Sequence, residues 1–257
     1  MLSLQNISKS FGGLKATQDV SIEFGAGSLS AVIGPNGAGK TTLFNQITGR
    51  LTPDTGRVMF EERDLVGRSS LAITRAGVVR AFQVASLFPT LTVGEALSAA
   101  VTSKQRGSWQ LFSYFPVNSA QRRSDEIADL LGMADKRQVL CKELSHGDQK
   151  LLDIGLALAL EPKVLLLDEP TAGMGPDERW RMIEKVHALW KSQNLTIVFI
   201  EHDMDIVFKI AQTIHVLCYG ALLASGTADE IRKNQKVIDA YLGSDHHSVS
   251  GAKELQS

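Results

Sequence analysis

The run Gly34-Pro-Asn-Gly-Ala-Gly-Lys40-Thr41 fits the pattern GxxxxGK[ST]. Its glycines let the backbone wrap an anion and aim N–H groups inward, and a helix that follows presents its positive end to the same anion. Lys40 is then placed to reach the β- and γ-phosphates of a nucleotide, and Thr41 to hold Mg2+. A second run, Val164-Leu-Leu-Leu-Asp168-Glu169, is apolar until it ends in two carboxylates. A buried strand of this kind delivers Asp168 to the carboxyl end of a sheet, where Mg2+ would sit. Glu169 beside it is either the base for an attacking water or a carboxylate at the start of a helix. His202 stands just past the apolar run Thr196–Ile200. A histidine there either plays a structural part or points at a γ-phosphate.

Leu144-Ser145-His146-Gly147-Asp148-Gln149 precedes a helical pattern that begins near Lys150. Ser145 offers a hydroxyl, and Gly147 a bare N–H, at a helix N-terminus. That is a second phosphate grip. One γ-phosphate does not easily sit on two grips of one rigid chain, so the second makes sense on a nucleotide held by another subunit. Gln83 falls where strand-rich sequence gives way to helical sequence. Its neutral amide can touch Mg2+ or water there, and sense the nucleotide.

These residues need a frame. Leu2–Ile7 and Val20–Phe24 alternate like strands with one wet face, and Leu29–Ile33 reads as a buried strand ending in the glycine-rich turn. A helix over Thr41–Thr48, closed by Gly49, and a strand over Arg57–Phe60 follow. From about Ala85 to Leu160 the pattern is helical. It includes Val93–Ala100, capped by Thr92 with Glu95 three residues on, then Ser124–Leu131 and Lys150–Leu160. Val164–Leu167 and Thr196–Ile200 return as continuous apolar strands around an amphipathic helix over Pro176–Lys191. Continuous apolar strands alternating with helices imply a parallel sheet covered on both faces. The helical block reads as an insertion into that α/β core. Ser103–Arg123, with Trp109, Phe112, Tyr114 and Phe115, reads as an elaborated loop or a partner contact, and Ser244–Ser257 as a frayed tail.

With 257 residues and 44% hydrophobic content, the chain can bury a sizeable core without disulfides. Cys141 and Cys218 form no CxxC pair and read as reduced core thiols. A net charge of -1 supplies no general basic field for nucleic acid. Met1–Lys9 lacks the apolar core of a signal peptide, and no run approaches the roughly 18 apolar residues of a membrane span. Any link to a membrane is therefore expected to run through partners.

Taken together, Gly34–Thr41, Gln83, Leu144–Gln149, Val164–Glu169 and His202 resemble the Walker A, Q-loop, signature, Walker B and H-loop of ABC ATPases, in that family's order and spacing. The resemblance covers nearly the whole chain. It implies a P-loop NTPase (RecA-like) α/β core with a mainly antiparallel N-terminal β subdomain and an inserted α-helical subdomain. The implied division is one ABC ATPase domain over 1–257: core and β subdomain in 1–84 and 161–243, helical subdomain in 85–160, flexible tail in 244–257. It also implies ATP and Mg2+ as cofactors. Nucleotide contacts would come from Phe11, stacked on adenine, and from Gly34, Pro35, Asn36, Gly37, Ala38, Gly39, Lys40, Thr41 and Thr42. Ser145 and Gly147 would serve the site of the second subunit. Thr41, Gln83 and Asp168 are the implied metal ligands, and Glu169, His202, Gln83 and Lys40 the catalytic groups.

Ser10-Phe-Gly-Gly13, Arg80-Ala-Phe-Gln83, Ala172-Gly-Met174, Gly226-Thr227, Glu230-Ile-Arg232 and Ala240-Tyr-Leu-Gly243 are similar to the ATPases of branched-chain amino-acid and urea importers. That similarity implies a head-to-tail dimer on the cytoplasmic face of a bacterial inner membrane. Two integral-membrane permease subunits and, indirectly, an extracytoplasmic solute-binding protein would complete it, without nucleic acid. A lipopolysaccharide-export ATPase and a soluble ABC protein outside transport are the alternatives. His146 and Asp148 depart from the usual LSGGQ signature, and Gly175 stands where most ABC ATPases carry the D-loop aspartate.

Overall fold

The computed structural model describes residues 1–81, 88–105 and 118–241. Gln83, the aromatic cluster from Trp109 to Phe115 and the 244–257 tail lie outside the described residues. In chain order the elements are β1 (Leu2–Phe11), β2 (Leu14–Phe24), β3 (Leu29–Ile33), α1 (Lys40–Ile47), β4 (Thr55–Phe60), β5 (Arg63–Asp64), α2 (Ser70–Ala76), β6 (Val78–Ala81) and α3 (Val93–Gln105). There follow α4 (Asn118–Leu130), α5 (His146–Leu158), β7 (Val164–Asp168), α6 (Pro176–Gln193), β8 (Thr196–Ile200), α7 (Met204–Ile210), β9 (Thr213–Cys218), β10 (Ala221–Gly226) and α8 (Ala228–Arg232). They fall into two compact units, Met1–Ser69 with Val198–Ser257, and Ser70–Ile197.

The first unit contains an antiparallel sheet of order β2-β1-β4-β5. Leu2 pairs with Phe24 and Phe60, and Leu4 with Ile22 and Val58, so the alternating apolar residues share one buried face. The register shifts between Ile7 and Lys9. Asn6 and Asp19 take left-handed backbone conformations beside the shift, tied by Asn6 Nδ2 donating to Asp19 Oδ1 at 2.8 Å. Beyond it both strands run on as a largely exposed hairpin to Phe11 and Leu14, which pair across the turn. Burial alternation stops at the bulge, so the sequence pattern marks only the inner half of this hairpin.

The same unit holds β3, buried along its whole length and paired in parallel with β9 from Ser30–Thr213 to Ile33–Val216. β10 continues antiparallel from β9. His215, on β9, is 4% exposed among apolar neighbours. Its ring meets Phe24 edge-on with centroids 5.2 Å apart, and Nδ1 lies 2.8 Å from Ser225 Oγ.

In the second unit β6 and β7 pair in parallel, Val78–Val164 to Ala81–Leu167. The capping box expected at Thr92 forms: the Thr92 N–H donates to Glu95 Oε2 at 2.8 Å, and the Glu95 N–H to Thr92 Oγ1 at 3.2 Å. The apolar run from Leu151 is the core of α5, buried on nearly every side from Leu151 to Leu158. A side chain at Gly155 would meet Leu131 and Leu97, so the glycine lets α3, α4 and α5 pack closely. α6 buries Met182, Ile183, Val186 and Leu189 along one stripe. Of the two thiols, Cys141 is buried and Cys218 only half so; both are free, and burial pushes both thiols up. Among the described residues no helix is long and apolar enough to cross a membrane.

Burial pushes the His215 imidazole down to about 4. The unfolded chain therefore binds a proton near pH 6.5 that the native chain refuses, so stability should be constant above about pH 6.5 and decline from there to about pH 4. The decline due to this group should total about 3 kcal/mol. Denaturant melts of His215→Leu at pH 7 and pH 4.5 should show a smaller difference between the two pH values than the parent shows.

Candidate functional site

In the first unit the turn after β3 is a cradle. Gly34 and Gly39 have φ of 150° and 100°. A Cβ on Gly34 would run into the Leu217 carbonyl, and one on Gly39 into the Ala16 carbonyl. Both conformation and space thus exclude any other residue. The loop is pinned by Ala38 N–H donating to Pro35 O and Gly220 N–H to Ala38 O, both at 3.1 Å. α1 starts at the end of this loop, with no acidic residue in its first turn. The positive end of its dipole therefore suits an anion, with no first-turn carboxylate to compete.

Lys40 is 7% exposed and its Nζ donates to Gly34 O at 2.7 Å and Pro35 O at 3.0 Å. An ammonium taken out of water needs such acceptors. They hold it curled over the loop, where phosphate oxygens can take their place. Asn36, Gly37 and Thr41 are exposed, and Pro35, Gly39 and Thr42 half-buried around it.

Other first-unit residues expected at a nucleotide take positions that permit contact. Phe11 ends β1 at the hairpin turn, 50% exposed, with Lys9 Nζ 5.9 Å from its ring centroid. It is not a core residue. His202 is exposed just before α7, its N–H donating to the Glu201 carboxylate at 3.2 Å. Asp203 caps α7 by accepting from Asp205 N–H at 3.1 Å. Tyr241 went unassigned on the sequence. Burial pushes its hydroxyl up to about 12, against a hydrogen bond from the Gly34 backbone. Only folding brings that residue to the cradle, so no local signal marks it.

The second unit carries the carboxylates. Asp168 ends β7, and Arg80 on β6 pairs with it through Nη2. Arg80 is nearly buried, so the pair is shielded from water and holds the carboxylate at the strand end. Glu169 has φ 48°, left-handed for a residue with a Cβ, and its carbonyl accepts from Lys150 Nζ at 2.6 Å. A strained backbone held by a lysine at the start of a loop suits a residue whose side chain must be aimed.

Ser145 is the N-cap of α5 and accepts from Asp148 N–H at 3.1 Å. Gly147 is buried behind it against the Glu178 carboxylate. His146 Nε2 lies 3.3 Å from the carbonyl of Ala172, which ties the Ser145 turn to the loop before α6. Gly175 caps α6 without a side-chain bond. Arg80, Lys150 and Lys136 were not selected from the sequence as site residues. Their tasks depend on pairings across strands and helices that spacing does not reveal.

The fold is shared with solved proteins. An ATP-binding cassette of an ABC transporter, solved in its ADP conformation, superposes with a TM-score of 0.84 at 32% identity, covering 95% of this chain and 98% of that one. A nucleotide-free ATP-binding cassette gives 0.82 at 32% identity, over 94% and 98%. The sequence matches the ABC transporter family over residues 17–172. The chain belongs to that family. This cassette also matches the branched-chain amino acid ATP-binding cassette transporter family over residues 221–247. It is similar to the high-affinity branched-chain amino acid transport ATP-binding protein LivG of Escherichia coli K12, 38% identical over 95% of this chain and 98% of that protein. LivG of Salmonella typhimurium is 39% identical over the same shares, and BraF of Pseudomonas aeruginosa 34% identical over 95% and 98%. The cassette is therefore a nucleotide-binding ABC-type ATPase.

Because Phe11 is exposed, its loss should cost ligand affinity and not core packing. Phe11→Ala should weaken ATP binding about tenfold, near the lower end of the value of one aromatic–base stack, with an unchanged melting temperature in the absence of nucleotide. Phe11→Tyr should bind as the parent does. Isothermal titration and calorimetric melting together check both.

Proposed function

We propose that the cassette hydrolyses Mg-ATP as one half of a head-to-tail pair and so drives import of a branched-chain amino acid through separate permease subunits. The observation that carries this reading is whole-length similarity to branched-chain amino acid cassettes, extending into the C-terminal segment 221–247. That segment also bears on the lipopolysaccharide-export and non-transport alternatives, which it does not favour.

In this reading Phe11 stacks on adenine and the Gly34–Thr42 turn wraps the phosphates, with Lys40 on the β- and γ-oxygens. Mg2+ is a hard ion that keeps several waters and takes few protein oxygens. The Thr41 hydroxyl, at the open end of the cradle, and the Asp168 carboxylate suit it, with Gln83 as a further ligand. When bound, it neutralises charge on the β- and γ-phosphates. Asp168 is oriented by Arg80 until then. Glu169 accepts a proton from water as the water oxygen bonds to the γ-phosphorus, the bond to the β-bridging oxygen breaks, and ADP and phosphate leave. His202 holds the γ-phosphate during this transfer. Ser145 and Gly147 grip the γ-phosphate of the nucleotide on the other subunit, and two mixed sites close the two-fold pair.

The proposed division keeps 85–160 as a helical subdomain set into a core made by 1–84 and 161–243. An apolar cleft of about 310 Å3 in the second unit, lined by Val79, Phe88, Ala96, Ala100 and Leu156, fits a segment of a permease. Phe88 is 46% exposed there, an apolar surface that a partner would cover. The assembly would lie against the cytoplasmic face of the bacterial inner membrane and receive its solute from an extracytoplasmic binding protein.

Two measurements test the reading. Lys40→Ala and Glu169→Gln should each lower ATP turnover at least about 100-fold, the first by removing charge opposite the phosphates and the second by removing the base. Glu169→Gln should retain ATP affinity and form a stable ATP-dependent dimer in light scattering. For the solute, the cassette should be reconstituted with its permease pair and binding protein in vesicles. ATP turnover stimulated by leucine, isoleucine or valine supports the proposal. Stimulation only by a different solute overturns the branched-chain assignment.

A further inference from the structure

The start of α5 carries a charge that opposes its proposed task. Asp148 lies in the first turn, and the Ser145 hydroxyl donates to Asp148 Oδ2 at 2.8 Å while accepting the Asp148 N–H. A carboxylate at a helix N-terminus occupies the place that the dipole and free N–H groups would give to an incoming phosphate, and repels it. The glutamine that the usual LSGGQ signature carries at the position of Asp148 has no such charge.

A lysine from outside the helix answers it. Lys136, in the short 3-10 turn Ala134–Lys136, donates from Nζ to the same Asp148 Oδ2 at 2.7 Å. The Lys136 and Asp148 side chains are 34% and 20% exposed, so the pair is partly shielded from solvent. Burial raises the Asp148 carboxyl, but the hydrogen bonds from Lys136 and Ser145 and the charges of Lys136 and Lys185 outweigh it and leave the group below its usual value. Lys185 Nζ is itself committed to Leu131 O at 2.6 Å. Lys136, Asp148, Glu178, Arg181 and Lys185 line one cleft of about 290 Å3 beside Ser145. Of the cations lining it, Lys136 and Lys185 act on the Asp148 charge, and of these two Lys136 bonds the carboxylate directly.

We propose that Lys136 is a positioning residue for ATP-driven pairing of two cassettes: by holding Asp148 it cancels the carboxylate charge and keeps Ser145 seated at the start of α5, so that this helix end can accept the γ-phosphate of a nucleotide on the second copy. The proposal rests on the reading that Ser145 and Gly147 act across the dimer. It makes His146-Gly147-Asp148 a working variant of the signature. The aspartate is tolerated because a lysine 12 positions earlier in the chain is folded onto it.

The test uses the full chain with Glu169→Gln, so that hydrolysis does not consume the ATP-bound dimer. Association is followed by light scattering over a range of protein concentrations in Mg-ATP, and ATP affinity of the single subunit by titration at high dilution. Adding Lys136→Met should weaken association at least about tenfold, or about 1.4 kcal/mol, with ATP affinity of the single subunit unchanged. Lys136→Arg should associate as the parent does. Asp148→Asn combined with Lys136→Met should restore association, because the charge that needed cancelling is gone. A lysine that merely supports the fold would give no such rescue, and would lower the melting temperature of both variants alike.

Ser145→Arg in the same background separates this proposal from the reading beneath it. If Ser145→Arg still associates, the grip across the dimer is wrong and the proposal falls with it. If Ser145→Arg fails to associate but Lys136→Met associates as tightly as the parent, the proposal alone is overturned. Weak association of Lys136→Met that Asp148→Asn does not rescue overturns it as well.

Discussion

Lys40 is a cation that the fold buries, and much of the first unit follows from satisfying it. Its ammonium is hydrogen-bonded where the chain curls back to offer the carbonyls of Gly34 and Pro35. That curl requires φ values open to glycine at Gly34 and Gly39, and it brings the loop against the carbonyls of Leu217 and Ala16, where no Cβ fits. The loop is thus fixed before any ligand arrives. N–H groups fixed in advance lose little freedom when they meet a phosphate, which is what gives a backbone cradle its strength.

The second unit solves a different problem, aiming carboxylates that are partly shielded from water. Each has a cation from a neighbouring element. Arg80 on β6 holds Asp168 at the end of β7, and Lys136 holds Asp148 at the start of α5. Lys150 takes a related part by holding the carbonyl of Glu169 and with it a left-handed backbone. Removing any one of these cations leaves a partly desolvated acceptor without its match, so their effects should exceed those of ordinary surface ion pairs.

The departures from the common ABC pattern gain a physical sense in this light. His146 reaches the carbonyl of Ala172 and so joins the Ser145 turn to the loop before α6 within one chain. Gly175 in that loop provides no side chain for a link across a dimer, and α6 begins without a side-chain cap.

The sequence by itself determined the phosphate loop, the carboxylate-ended strand β7, the helix-start turn at Ser145 and the alternation of buried strands with helices. These are local in chemistry: a glycine spacing, an apolar run or a capping pair acts within a few residues, so its signal survives in one dimension. The expectation of Phe11 at adenine came from the resemblance to ABC ATPases and not from any local pattern. Where pattern was interrupted, less was legible. The outer half of the β1–β2 hairpin lies past a register shift and, apart from the buried Thr17, is largely exposed or half-buried, so it leaves no clear alternation. β9 and β10 were not anticipated, nor was the neutral histidine buried among them. Only the tertiary structure decided which charge answers which: Arg80 to Asp168, separated by 88 positions, Lys136 to Asp148, and Tyr241 to the backbone of Gly34. Such pairs are chosen by packing, because an ion pair has no periodicity and gains its strength only where neighbouring elements exclude water around it.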